Sequence, residues 1–249
     1  MKYLITLICL AIAIIGWGQD QDNFDKATTL YQKGDYTQAA AVYSSILKSG
    51  KESSALYYNL GNTYYKLNNV PESIYYYEKA LQFDPENADA KNNLIFANQM
   101  KVDAITPLPK TWVRQLSDGI VGLFSAHTWA VLSIIGVFAF VLSFLLYYFV
   151  ERTALKRTFF SLMLAFLFFA IGSYTLAHFC HKQVSQTQYA ILFDKTVRVF
   201  SDANAYSSEV MQLHEGTKVE IIEDAKDWVK IRLVNGKTGW TKVNSLKKL

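Results

Sequence analysis

The residues with the most evident chemistry in this 249-residue chain sit together in "HFCH", His178 to His181. His178 and His181 are three apart, so on a helix they share a face, and two imidazoles could begin a metal site. No third or fourth ligand is nearby in sequence, and Cys180 falls elsewhere on the turn. A c-type haem attachment needs a second cysteine, which is missing. There is no Gly-rich phosphate loop and no nucleophile beside an evident base. The histidines therefore read as interfacial residues. The expectation is a non-enzyme: no catalytic residue, no metal and no cofactor.

The elements around these residues explain the interfacial reading. Hydrophobic residues make up 51% of the chain and charged residues only 18%, which points to a part of the chain in lipid. Two apolar runs, Thr128–Val150 and Thr158–Cys180, have 23 residues each and lack Asp, Glu, Lys and Arg. As helices each would reach roughly 35 Å, enough to cross a bilayer. Seven residues, "ERTALKR", separate them, so they are expected to form a transmembrane hairpin with 151–157 as its loop. Arg152, Lys156 and Arg157 assign that loop to the cytoplasm. The N-terminus agrees: Lys2, the apolar run Tyr3–Ile15, then Gly16 and Gly18 have the layout of a secretory signal peptide, residues 1–18. Both flanking regions are then exported, and in a cell with two membranes they are periplasmic, on the bacterial inner membrane. Cleavage leaves Cys180 alone, so no internal disulfide is expected. The 19–103 region holds 8 Lys+Arg against 11 Asp+Glu, and 182–249 holds 11 against 8. Neither imbalance points to nucleic acid.

Between Phe24 and Met100 the sequence repeats. Ala39, Tyr43, Ile46 and Leu47 align with Ser73, Tyr77, Ala80 and Leu81 at a spacing of 34 residues. Small and aromatic residues at these offsets resemble the tetratricopeptide repeat. The second copy is the better match, with Tyr57, Leu60, Gly61, Tyr64, Ser73, Tyr77, Ala80 and Pro85. The first has Lys26 and Ala27 where Leu and Gly are usual. Residues 19–103 are thus expected to form an all-α domain of two repeats plus a capping helix at Asp89–Met100. Three repeats are the usual minimum, so the array is expected to lean on the membrane-proximal segment, a second copy or a partner. The resemblance implies a concave groove lined by first helices, at Phe24, Thr28 and Tyr31, then Tyr58, Asn62 and Tyr65, then Asn92 and Phe96. These aromatics would serve equally as a peptide groove or as packing. The cations of carboxylate-clamping repeats are mostly absent.

Residues 104–127 read as a linker, stiffened by Pro107 and Pro109. Within it Trp112, Val113, Leu116, Ile120, Leu123 and Phe124 fall at near-helical spacing, as in a helix lying on a membrane. From 188 to 249 the pattern alternates in strand fashion, and Asn235–Gly236 marks a hairpin. Five or six short strands are expected, with Val197, Val199, Gly216, Trp228, Gly239 and Trp240 in an order that resembles the bacterial SH3 domain. That resemblance implies a small all-β barrel that binds wall peptides or docks proteins. Trp228 and Trp240 are candidates for its surface, although such tryptophans more often hold the barrel together.

The order of parts defines a multidomain membrane protein and resembles the BatE-type proteins of bacterial aerotolerance operons. The resemblance implies an assembly with von Willebrand A-type membrane proteins and a MoxR-type ATPase, linked to envelope or oxidative stress. The expected role is a periplasmic scaffold; the alternative is an anchor or sensor holding peptidoglycan through the SH3 domain.

Overall fold

The computed structural model describes residues 22–109 and 111–249; the signal-peptide reading of residues 1–18 lies outside them. The chain divides into two units. Among the described residues, 22–107 and 188–249 pack together in one, and 108–187 form the other.

In the first unit, helix α1 (residues 22–32) is followed by α2 (Tyr36–Lys48), α3 (Ser54–Lys66), α4 (Val70–Phe83) and α5 (Ala88–Gln99). Each start has a local cause. Asp35, Ser53 and Asn87 accept hydrogen bonds from the amides of Gln38, Leu56 and Ala90, satisfying donors that a first turn leaves open. Pro71 pre-sets the first turn of α4. Tyr43, Leu60, Gly61, Ile74, Tyr77 and Ala80 are buried between the pairs.

Seven antiparallel strands follow, β1 (Gln188–Leu192), β2 (Thr196–Phe200), β3 (Glu209–His214), β4 (Lys218–Ala225), β5 (Trp228–Arg232), β6 (Thr238–Lys242) and β7 (Leu246–Lys248). They are ordered β3-β2-β6-β5-β4-β1-β7. This exceeds the five or six expected, because the short β7 pairs with β1. Ala190 and Leu192 enter the barrel core, with Val199, Val219, Val229 and Ile231. Ile191, on the opposite face of β1, belongs to the core of the repeats.

The two-repeat array therefore leans on the chain's own SH3-like domain, which is none of the three supports expected. The Asp103 carboxylate accepts from the His214 backbone N–H at 2.7 Å and the Thr217 hydroxyl at 2.7 Å, and lies 2.8 Å from His214 Nδ1. Lys218 donates to Glu78 at 2.7 Å. Tyr75 meets Phe193 edge-on, and Lys247 lies 4.0 Å from the Tyr75 ring centre. Gly216, at φ +81°, brings the β3–β4 turn against Val70 and Ile74 of α4. The expected linker 104–127 is also partly folded structure: Ile105 packs against the barrel core.

In the second unit, α6 (Trp112–Val121), α7 (Ala126–Phe149) and α8 (Thr153–Gln186) follow in order. Only residues 150–152 separate α7 from α8, so most of "ERTALKR" is helix rather than the seven-residue loop expected. Ala154, Leu155, Lys156 and Arg157 are good helix formers, and they extend α8 to 34 residues. Both helices are long and apolar enough to cross a membrane. They meet along small side chains: Gly136 abuts Ala170 and Phe169, and the Ser133 hydroxyl donates to the Ala170 carbonyl at 3.0 Å. Phe138 and Phe168 face outward. Helix α6 buries none of its residues, but its end is fixed, since the Val121 carbonyl accepts from the Trp129 indole N–H at 3.3 Å.

Two acids at the junction between repeats and barrel give opposite pH signatures. Burial alone would raise the Asp103 pKa, but the hydrogen bonds from His214 and Thr217 outweigh it and hold it below the usual range. Its contribution is complete above the ordinary carboxylate pKa and fades as pH falls through the lowered value. Glu72 leaves Oε2 buried without a hydrogen-bond partner, and burial, with Glu215 nearby, raises its pKa. Its ionisation opposes folding, so that cost disappears in acid. Asp103→Ala is expected to destabilise the chain by about 2–3 kcal/mol at pH 7, because it removes hydrogen bonds to a charged group. Glu72→Gln is expected to raise the melting temperature at pH 8 and to lose that advantage toward pH 4. Thermal unfolding of the full chain in detergent across pH checks both.

Candidate functional site

One cavity of about 290 Å³ opens on the repeats, lined by Tyr31 of α1, Tyr58, Asn62, Tyr65 and Lys66 of α3, Tyr77 of α4, and Asn93 and Phe96 of α5. Its construction follows the repeat. Tyr31 and Tyr65 are separated by 34 residues, as are Thr28 and Asn62, and Tyr43 and Tyr77. In the first repeat the Thr28 hydroxyl lies 2.9 Å from the Tyr43 hydroxyl. At the equivalent place in the second, the Tyr77 hydroxyl donates to Asn62 Oδ1 at 2.7 Å. The same contact is made twice, with a shorter side chain in the first copy.

Asn62 is the hinge of the floor. Its Oδ1 also accepts from Asn93 Nδ2 at 2.8 Å, and Asn93 Nδ2 reaches the Tyr58 hydroxyl at 3.3 Å. Both lone pairs of the Asn62 oxygen are thus occupied, and its two N–H hydrogens have no hydrogen-bond partner among the described residues. Burial pushes the Tyr77 and Tyr31 hydroxyls up from their ordinary pKa, so both stay protonated. Tyr58 packs at a tilt against Tyr77, 6.2 Å between ring centres.

Of the residues expected to line a groove, Tyr31, Tyr58, Asn62, Tyr65 and Phe96 surround this cavity, and Phe24 and Thr28 do not. Phe24 packs edge-on against Tyr43 at 5.6 Å, and Thr28 is spent on the Tyr43 hydroxyl. Asn92 is replaced by its neighbour Asn93, because the packing of α5 against α3 and α4 turns that face inward. The sequence reading also omits Lys66 and the floor position of Tyr77. The 34-residue offset from Tyr43 was the available signal for Tyr77.

On the barrel, Trp228 and Trp240 share the outer face of β5 and β6, where Lys230 pairs directly opposite Trp240. Trp228 meets the buried Phe200 edge-on at 5.6 Å, and Lys230 lies 5.7 Å from the Trp240 ring centre. Both tryptophans are half-buried. In the hairpin, His178 stacks on Tyr174. Among the described residues no three His, Cys, Asp or Glu side chains are grouped so as to hold a metal ion.

Comparison with known families matches residues 24–88 to the tetratricopeptide repeat and residues 195–246 to the bacterial SH3 domain. No curated protein matches the chain. The protein therefore combines a tetratricopeptide repeat region, two long apolar helices in a hairpin and an SH3-like domain.

The floor of the cavity depends on Gly61. A Cβ there would sit 2.6 Å from Cδ1 of the Tyr77 ring, and that ring is 1% exposed, so it has little room to retreat. Gly61→Ala is expected to cost about 1–3 kcal/mol through overpacking and to displace Tyr77 from Asn62. Urea unfolding combined with hydrogen exchange of α3 and α4 checks both effects.

Proposed function

We propose that this protein is a membrane-anchored scaffold that holds an extended segment of a partner protein in the groove between α1, α3 and α5. The observation that carries this reading is the cavity itself: aromatic walls around a floor whose unused polar atoms are the Asn62 N–H hydrogens and the Asn93 Oδ1. A donor and an acceptor side by side suit a peptide main chain, and aromatic anchors supply most of the energy at such sites. The repeat and SH3 families support a role in protein–protein interaction.

The folding of the flanks supports a location. Residues 22–107 and 188–249 share one folded unit, so a hairpin that crosses a bilayer between them returns the chain to the side it left. The basic turn and the signal-like N-terminus favour the exported side, hence a bacterial inner membrane with the groove in the periplasm. The exposed apolar arc of α6 suits the lipid surface. The resemblance to BatE-type proteins supports partners among von Willebrand A-type membrane proteins and a role in aerotolerance or envelope stress. A second reading, an anchor on peptidoglycan, is favoured by the half-exposed Trp228 and Trp240; β1, β7 and the β3–β4 turn are already engaged with the repeats.

Tyr58 and Tyr65 are half-buried and lie outside the fully buried core. Tyr58→Ala with Tyr65→Ala is expected to leave insertion and melting little changed while co-purifying membrane proteins are lost. Partners retained by this variant, together with wall association abolished by Trp228→Ala and Trp240→Ala, would favour the anchor. Single cysteines at 152 and 237 in a Cys180→Ser background are expected to react with an impermeant reagent from opposite faces of membrane vesicles.

A further inference from the structure

The groove's hydrogen-bonding inventory is lopsided. Tyr31, Tyr58 and Tyr65 each carry a hydroxyl proton that no hydrogen bond within the described residues uses. Asn62 adds two N–H hydrogens, and Lys66 adds an ammonium at the rim. Against these, the acceptors are Asn93 Oδ1 and the oxygens of the tyrosine hydroxyls, of which that of Tyr58 already accepts from Asn93, and no carboxylate lines the cavity. The remaining surface is aromatic: Tyr31, Tyr58, Tyr65, Tyr77 and Phe96.

An ordinary peptide brings one N–H for every C=O. Its N–H groups would find only Asn93 Oδ1 and the tyrosine hydroxyl oxygens as acceptors, fewer than the donors the groove offers, and each N–H left unpaired is costly. A basic segment finds no carboxylate, and an acidic one finds a single lysine. A proline-rich segment brings carbonyls without N–H groups and flat apolar rings that pack on aromatic faces. It is also already extended, so little order is lost on binding. Resting on the groove reading above, we infer that the preferred occupant is a proline-rich segment of a partner protein in the polyproline II conformation. Its carbonyls accept from Asn62 and the tyrosine hydroxyls, and its rings sit between Tyr58, Tyr65 and Phe96.

The test uses the full chain in detergent micelles and two fluorescein-labelled decapeptides, one all proline and one of alternating Ala and Gln. Fluorescence anisotropy is expected to show saturable binding of decaproline, at least about tenfold tighter than the Ala/Gln peptide. Asn62→Asp keeps an oxygen for Tyr77 and Asn93 but loses the N–H donors, and is expected to weaken decaproline binding about tenfold. Tyr65→Leu, which keeps apolar bulk without the flat face or the hydroxyl, is expected to do the same. Melting curves of both variants monitor the fold. Equal binding of the two peptides, lost in the Tyr58→Ala/Tyr65→Ala protein, would overturn the proline preference and leave the peptide groove standing. No binding of decaproline at millimolar concentration, or binding indifferent to Asn62→Asp and Tyr65→Leu, would also overturn it.

Discussion

Strand β1 is buried on both faces, and the first unit is organised around that constraint. Ala190 and Leu192 fill the barrel, while Ile191 fills the repeats; all three are fully buried. A strand that completes two cores cannot leave one without opening the other. Asp103 fastens the same junction from the helical side by binding the turn between β3 and β4 through His214 and Thr217. Two repeats cannot cover their last hydrophobic face alone, and here a β-barrel takes the place of further helices.

Helix α4 is where this support meets the groove. Three consecutive tyrosines lie about 100° apart around a helix and serve three neighbours. Tyr75 packs on Phe193 and Lys247 of the barrel. Tyr76 stacks inside the repeat, between Tyr57 and Tyr64, and burial pushes its hydroxyl up to about 12. Tyr77 forms the groove floor with Asn62. The shape of the groove is thereby set by a helix whose opposite side is held by the SH3-like domain. All eight groove residues lie on helices rather than loops, which fixes their side chains against each other.

On the membrane-anchored reading proposed above, the second unit obeys different physics. Inside a bilayer there is no gain from excluding water between helices, so close approach of small residues and a few interhelical hydrogen bonds hold them together. Gly136 against Ala170, and Ser133 on the Ala170 carbonyl, are of that kind. The exposed phenylalanines that would be a liability in water are appropriate to lipid.

The local classes of structure were legible in the sequence because they depend on periodicity and composition. The charge-free 23-residue runs, the 34-residue repeat carrying Gly61 and Ala80, and the alternating strands after Gln188 each declare themselves within a short window. Five of the six principal groove candidates surround one cavity: Tyr58, Asn62 and Tyr65, four and seven apart, share one face of α3, and Tyr31 occupies the place of Tyr65 one repeat earlier. Phe24 did not join them, and the choice of Asn93 over Asn92 rests on the rotation of α5, which its contacts with α3 and α4 set. The turn between α7 and α8 also proved shorter than composition suggested, since Ala154–Arg157 include two cations yet are good helix formers and continue a helix. What only the tertiary structure decided is the union of the two ends of the chain. Asp103 and His214 are separated by 111 residues, and nothing within either window marks them as partners. The run "YAIL" is apolar on both faces, which says that β1 is covered twice but not by what. That answer lies in a surface formed only when α4 and α5 have folded, because complementarity between two assembled faces is a property of their shapes and not of either sequence.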